Sequence, residues 1–380
     1  MAGVAETTPR QPPAEPPLVL CNHGLRRSGG IEQYLLTLVD ALHQRGQRPI
    51  IAAKRFDQKL PAYGWVDPVR VRTWGLPASL RDAWFDHRLQ ALKRQRGWFP
   101  LIALNQTGAA DIAVCGSNHP AFLAAMGQHP RWADRLAIQR ERTHLGNARV
   151  VIAHSRLLAD QAQHYHGISP DKIVVAYPPV DAARFSPVDG ARRQALRHKL
   201  GFPDDRAVFL LASTGHARKG LDLALQAIGH SALPVLLAVA GRPVAEVAPN
   251  LRYLGYRSDM EDVYRAADCT VMASRYEPFG LVGVESVLCG TPVIGAAGIG
   301  CLEVIKDPAL LRFRIDDMAS LDAVVSSTMS LWRNDLLRLE NPGAALAYDP
   351  SPQCHLDILL DWVLRLRAEA GAAASKPAKR

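Results

Sequence analysis

The sequence predicts an α/β protein made of two doubly wound parallel-sheet units facing each other across a cleft. Three observations carry that prediction. A chain of 380 residues exceeds what one hydrophobic core usually serves. Apolar strand-type runs alternate with amphipathic helical stretches from end to end, the pattern of parallel strands joined by crossover helices. Near the middle, Tyr177-Pro178-Pro179-Val180-Asp181, closing at Ser186-Pro187, breaks the alternation, and its prolines stiffen the connection.

The first unit, 17–180, opens on Leu18-Val19-Leu20-Cys21, followed by a loop and a helix from about Ile31 to Arg45. Further strands are predicted at 48–53, 101–104, 111–115, 149–153 and 172–176. The second unit, 181–352, restarts at Ala207-Val208-Phe209-Leu210-Leu211 and continues through 234–240, 251–254, 269–273 and 291–295. A helical run, 353–370, follows the completed second sheet. Residues 1–16 lack the apolar stretch of a secretory signal and read as a disordered tail, as do the basic residues 371–380. No apolar run approaches the ~18–20 residues that span a bilayer. An apolar share of 48% with 21% charged residues suits a soluble α/β chain. Six cysteines (21, 115, 269, 289, 301 and 354) form no C-x-x-C pair, which predicts reduced thiols in a cytoplasmic protein.

Charge divides unevenly. Residues 1–180 hold 22 Lys and Arg against 13 Asp and Glu, whereas 181–380 hold 23 of each, so the net +9 lies in the first half. Nucleic acid, an anionic membrane face and a phosphorylated acceptor would each suit that excess. No RNA- or DNA-binding motif is present, which favours the last two. Residues 79–99 mix Trp84, Phe85, Trp98 and Phe99 with five Lys and Arg. Such a helix either lies on an anionic bilayer or is a solvated helix turning Trp84 and Leu92 inward.

The most telling string is SRYEPFGLVGVESVLCGT, 274–291, set between the strand-type runs CTVMAS and TPVIGA. A helix entered near Phe279 to Gly283 offers unpaired first-turn amides to a diphosphate. That places Pro278, Phe279, Gly280, Leu281 and Val282 beside the diphosphate. Glu277 precedes that helix and faces what hangs from the diphosphate. Glu285, two turns in, reaches back to a diol such as ribose through charge-assisted hydrogen bonds. Three other loops leave strand ends. Gly29-Gly30 joins the first strand to the first helix, where a glycine pair permits positive φ and close backbone approach. Ser213–Gly220 carries Arg218 and Lys219. Gly255-Tyr256-Arg257 ends another strand, where Tyr256 or Arg257 stacks on a base or Tyr256 packs in the core.

Glu277 and Glu285 in this setting resemble the E-x7-E signature of the retaining family-4 glycosyltransferases, and the two-unit plan resembles their GT-B fold, two Rossmann-like domains, over roughly 17–370. The resemblance implies transfer of a hexose-type sugar from a nucleotide diphosphate, UDP above all, to a glycan or glycolipid acceptor. In that family the Gly-Gly loop meets the donor phosphate and sugar, a Lys-Gly loop neutralises the diphosphate, and the strand end beside the base corresponds to Arg257. A helix like 353–370 often crosses back to the first domain. Lys219 matches the family lysine; the arginine many relatives carry five residues earlier is Thr214 here, and Arg218 stands in as the substitute. On the acceptor side His119, after the strand Asp111–Cys115, is the candidate that touches sugar or acceptor. No D-x-D triplet occurs, so neither metal nor cofactor is implied. Among bacterial members the chain is most similar to those that build the lipopolysaccharide core, which suggests a cytoplasmic enzyme, peripheral on the inner face of the membrane. The same architecture also serves nucleotide-sugar 2-epimerases, and a non-catalytic sugar-nucleotide-binding subunit is a third alternative.

Overall fold

The computed structural model describes residues 16–374 except 74 and 76, so 1–15 and 375–380 of the predicted tails 1–16 and 371–380 lie outside the described residues. Seven parallel strands form the first sheet: β1 Val19–Cys21, β2 Ile50–Ala53, β3 Asp67–Arg70, β4 Leu101–Ala103, β5 Ile112–Cys115, β6 Val150–Ala153 and β7 Ile173–Val175. Their spatial order is β3-β2-β1-β4-β5-β6-β7. Six form the second: β8 Ala207–Ser213, β9 Val235–Gly241, β10 Leu251–Gly255, β11 Cys269–Met272, β12 Val293–Ala296 and β13 Leu310–Phe313, ordered β10-β9-β8-β11-β12-β13. The central strands β1, β8, β9 and β11 are buried almost throughout, as sheets covered by helices on both faces require.

Each sheet therefore reverses its winding once, between β1 and β4 and again between β8 and β11. Ligands of open parallel sheets bind outside the carboxyl ends of strands at such a switch point. Register fixes which loops meet there. Phe209 opposes Cys269 and Leu210 opposes Thr270, so the loops leaving β8 and β11 emerge side by side.

Besides a short two-stranded sheet, Gly24–Leu25 with Arg55–Phe56, two strands of the large sheets escape the sequence reading, β3 and β13, and both are sheet edges. β3 (Asp-Pro-Val-Arg) is mostly exposed and contains Pro68, which a central strand would not tolerate. The final helix runs Pro352–Ala374, so residues 371–374 are helix and not tail. Its Leu356, Leu359, Val363 and Leu366 join Leu35, Leu38 and Leu42 of the first helix, Gly30–Gln44, in one N-terminal core. The chain thus crosses between lobes twice. Val180 N–H donates to Pro350 O at 2.8 Å and the Tyr348 hydroxyl to Pro178 O at 3.1 Å, tying the crossings together.

The helix Ala78–Arg96 corrects the reading of 79–99. Phe85, Leu89 and Trp98 are buried in the core, while Leu80 and Trp84 face outward, the reverse of an inward Trp84.

Candidate active site

The cleft between the sheets has a volume of ≈ 1730 Å³ and is lined by loops from both switch points. Gly30, Asn105 and Ser117 line it from the first lobe; Lys219, Glu277 and Glu285 line it from the second.

On the second-lobe wall two cationic side chains share one carboxylate oxygen. Arg218 Nη1 donates to Glu277 Oε2 at 2.9 Å, and the Lys219 ammonium reaches the same oxygen. Lys219 and Glu277 are each only 12% exposed, so this pairing is shielded from bulk water and holds the Glu277 carboxylate in place. Two glycines make the geometry possible. Gly220 has φ +68°, and a methyl group there would lie 2.0 Å from the Ala273 carbonyl oxygen at the end of β11. The Lys-Gly pair therefore seats one loop directly on the strand that launches the other. Gly280 has φ +94°, and a methyl group would meet Glu277 Cγ at 2.8 Å. Glycine is required there for the helix Leu281–Leu288 to start beside Glu277. That helix opens into the cleft with first-turn amides that have no intrahelical acceptor, while Gly283 N–H turns back to Gly280 O at 3.0 Å. Two cations and an open helix terminus facing one carboxylate form a seat for a diphosphate.

Glu285 lies further along the same wall. Its carboxylate accepts from the Tyr264 hydroxyl at 2.8 Å; burial pushes its pKa up, which Tyr264 and nearby Arg184 partly offset. Arg184 is held by Glu261 at 2.7 Å and lies over the Phe185 ring at 4.9 Å. Arg257 also lines the cleft, but its guanidinium is engaged by both oxygens of Asp259, at 2.8 and 2.6 Å. Tyr256 is 68% exposed, which removes the core-packing alternative.

Other predicted positions need correction. Gly29 caps the first helix with φ −77° and Gly30 has no positive φ, so the pair uses none of the left-handed freedom anticipated for it. Gly30 lines the cleft as the first residue of that helix. His119 is not brought to the others. Its Nε2 pairs with Asp134 at 2.9 Å and its backbone N–H donates to buried Glu141, so the ring is drawn toward the helix Trp132–Asn147. The first-lobe side chains that do line the cleft include His154, which follows β6 and is 6% exposed, and Tyr34. Sequence reasoning missed both, along with Arg275. Arg275 grips Asp222 at 2.9 Å and the Ala217 carbonyl at 2.8 Å, clasping the Lys219 loop to the Glu277 loop. His154 and Tyr34 lie outside every motif string, and Arg275, inside one, acts only through partners 58 and 53 positions away.

Two Rossmann-like lobes closing on a cleft, with the cation-bearing loop at the second switch point, define a GT-B glycosyltransferase. Solved structures share that fold along nearly their whole length. WaaG, a glycosyltransferase involved in lipopolysaccharide biosynthesis, is similar with TM-score 0.75 at 16% identity, covering 90% of this chain and 99% of that one. Anabaena HepE in complex with UDP-glucose gives 0.70 at 16%, again covering 90% and 99%. The sequence narrows the class. The family model described as Glycosyltransferase Family 4 matches residues 28–184, and that described as Glycosyl transferases group 1 matches 192–319. A probable transglycosylase of Burkholderia thailandensis is 46% identical over 356 residues, 93% of this chain and 96% of its own. A D-inositol 3-phosphate glycosyltransferase of Xylanimonas cellulosilytica is 28% identical over 75% of this chain and 79% of its own. The chain belongs to the GT-B glycosyltransferases, with the family-4 model on its first lobe and the group-1 model on its second. These relatives give no support to the epimerase alternative.

Proposed function

We propose that the protein transfers a hexose-type sugar, with retention at the anomeric carbon, from a nucleoside diphosphate sugar to a glycan or glycolipid acceptor. The observation that carries this reading is the convergence of Lys219, Arg218 and the open helix terminus around Glu277. In this reading the bond from the anomeric carbon to the diphosphate oxygen breaks as the acceptor oxygen approaches on the same face. The acceptor's proton passes to the departing phosphate oxygen, and Lys219 and the Leu281 and Val282 amides take up the charge that grows there. Glu277 orients the sugar through its hydroxyls, and Glu285 holds the ribose diol beside Arg257. A UDP-linked donor is supported by HepE, a fold relative whose structure contains UDP-glucose. A lipopolysaccharide-core acceptor is supported by the likeness to WaaG and by the basic first half of the chain. A membrane-borne acceptor would place the protein on the cytoplasmic face of the bilayer, with Leu80 and Trp84 flanked by Arg81 and Arg88 as the nearest contact.

Calorimetric titration with UDP, GDP and ADP, then with their sugars, tests the donor half of the proposal. Saturable UDP binding that Glu285→Ala weakens is the expected result, and no binding of any nucleoside diphosphate sinks the reading. Glu277→Ala should still bind UDP and show no sugar transfer; wild-type turnover in that variant removes Glu277 from the reaction.

A further inference from the structure

The segment that carries Glu277 is fastened from both lobes. Within its own lobe, Tyr276 O accepts from Arg218 Nη1 at 2.9 Å, Glu277 O from Gly300 N–H at 3.1 Å, and Phe279 O from Cys301 N–H at 2.7 Å. The remaining carbonyl, that of Pro278, is taken by the other lobe, where the Ser155 hydroxyl donates to it at 2.7 Å. Tyr276 crosses the cleft in the opposite sense. Its hydroxyl lies 3.1 Å from both the backbone N–H and the carbonyl of Asn118, and 3.2 Å from Gln161 Oε1. Ser155 and Asn118 are fully buried and Tyr276 is 7% exposed, so these are enclosed contacts and not a solvated rim.

The sequence positions matter. Tyr276 and Pro278 flank Glu277 on either side, and each is held by the first lobe. Ser155 is also fully committed, since its oxygen accepts the Leu158 N–H at 3.0 Å and caps the helix Arg156–His166 while its proton goes to Pro278. One hydroxyl therefore fixes a first-lobe helix and a second-lobe loop together. Separating the lobes would release the Pro278 carbonyl and the Tyr276 hydroxyl, on either side of Glu277, at once, while the bonds from Arg218, Gly300 and Cys301 stayed in place. Exchanging such bonds for water changes the folding balance little, but it removes the first lobe's share of the constraint that aims the carboxylate.

We propose that Ser155 and Tyr276 are positioning residues that make the setting of Glu277 conditional on closure of the two lobes. The inference rests on the glycosyl-transfer reading for what Glu277 does, and on the hydrogen bonds alone for how closure reaches it. A donor bound to the open molecule would then meet a second lobe whose cations are in place but whose Glu277 segment lacks the first lobe's hold. Transfer would wait for the first lobe, which also brings the acceptor.

The test uses Tyr276→Phe and Ser155→Ala in the full chain. Tyr276→Phe keeps the ring against Phe122 and loses only the hydroxyl contacts, so it is the cleaner of the two. Ser155→Ala also loses a helix cap, so Ser155→Thr, which retains a hydroxyl, serves as its rescue. The expected result is a kcat lowered about tenfold or more in Tyr276→Phe and Ser155→Ala, with the UDP dissociation constant within about threefold of the parent. Ser155→Thr should recover most of the loss. Small-angle scattering with and without UDP should show Tyr276→Phe more extended than the parent. A parental kcat in Tyr276→Phe, unchanged scattering, or a loss of kcat matched by an equal loss of UDP affinity overturns the proposal. Failure of the parent to bind any nucleotide sinks the donor reading instead, and scattering of the free chains still decides the latch.

Discussion

Lys219 and Arg218 meet Glu277 at a single oxygen, so this wall of the cleft carries two positive charges against one negative. The surplus is what a leaving diphosphate would use. Lys219→Ala leaves Glu277 paired with Arg218, so the fold should be retained while kcat falls about 10²–10³-fold, the usual consequence of removing one preorganised charge. Steady-state kinetics beside a thermal melt checks this, and a large fall in Tm with unchanged kcat would contradict it. Glu285 makes a different prediction. Its folded pKa is raised, so between the ordinary carboxylate range and the raised value the folded state binds more protons than the unfolded one. Stability from this group is therefore full below that range and is lost as pH rises through the folded value. Glu285→Gln keeps an oxygen for Tyr264 and never ionises. The Tm difference between variant and parent should move in the variant's favour from about pH 4 to about pH 8, and parallel melting curves would remove the claim. Glu277, Glu285 and Lys219 were legible because each lies in a short contiguous string whose spacing survives folding. Ser155 and Tyr264 were not, because each lies outside those strings and meets its partner only through the fold, 123 and 21 positions away.

At the scale of elements, the site depends on the junction between β8 and β11. Gly220→Ala would place a methyl group 2.0 Å from the Ala273 carbonyl in a backbone conformation that disfavours side chains. The turn must shift, carrying Lys219 away from Glu277. A loss of about 2 kcal/mol or more in urea unfolding is expected, together with loss of UDP affinity. Full stability in that variant would show the loop to be compliant. Elements of the sheet interior were readable because strands buried on both faces are continuous apolar runs. β3 and β13 were not, since edge strands carry charge and, in β3, a proline. The helix Ala78–Arg96 shows the same limit. Aromatic and basic residues alternate along it, and composition alone could not tell that Phe85 and Leu89 turn inward while Trp84 turns out. His119 failed for a related reason. A histidine at a strand end was assigned to the cleft, but Asp134 and Glu141 on the neighbouring helix claim its ring and its backbone.

Across the whole molecule, the two lobes are joined at a hinge where three aromatic side chains from distant segments converge. His355, on the final helix, donates from Nδ1 to the Tyr177 carbonyl at 2.8 Å and accepts at Nε2 from the Tyr34 hydroxyl at 2.5 Å. His154 packs edge-on against Tyr34 with ring centres 4.8 Å apart. Burial pushes the pKa of His154 down to about 3, with nearby His355 adding to the effect. Burial likewise takes His355 down to about 4, against the opposing pull of the Tyr177 carbonyl. Both are neutral when folded and take up protons near pH 6.5 when unfolded. Their contribution is therefore fully present above about pH 6.5 and is lost as pH falls toward their folded values, at about 1.4 kcal/mol per pH unit for each group. His355→Gln offers an amide to both tyrosines and cannot titrate. Urea unfolding at about pH 7.5, 6 and 5 should find this variant less stable than the parent at the highest pH, with a shallower decline, the slopes differing by about one proton. Because His355 links the final helix to the linker and the first helix, its protonation would loosen the hinge before either sheet. Amide exchange at acid pH should accordingly rise first in the segments Tyr177–Asp181 and Pro352–Ala374. Uniform loss of protection across both lobes would show that the hinge is not the acid-sensitive part of the molecule.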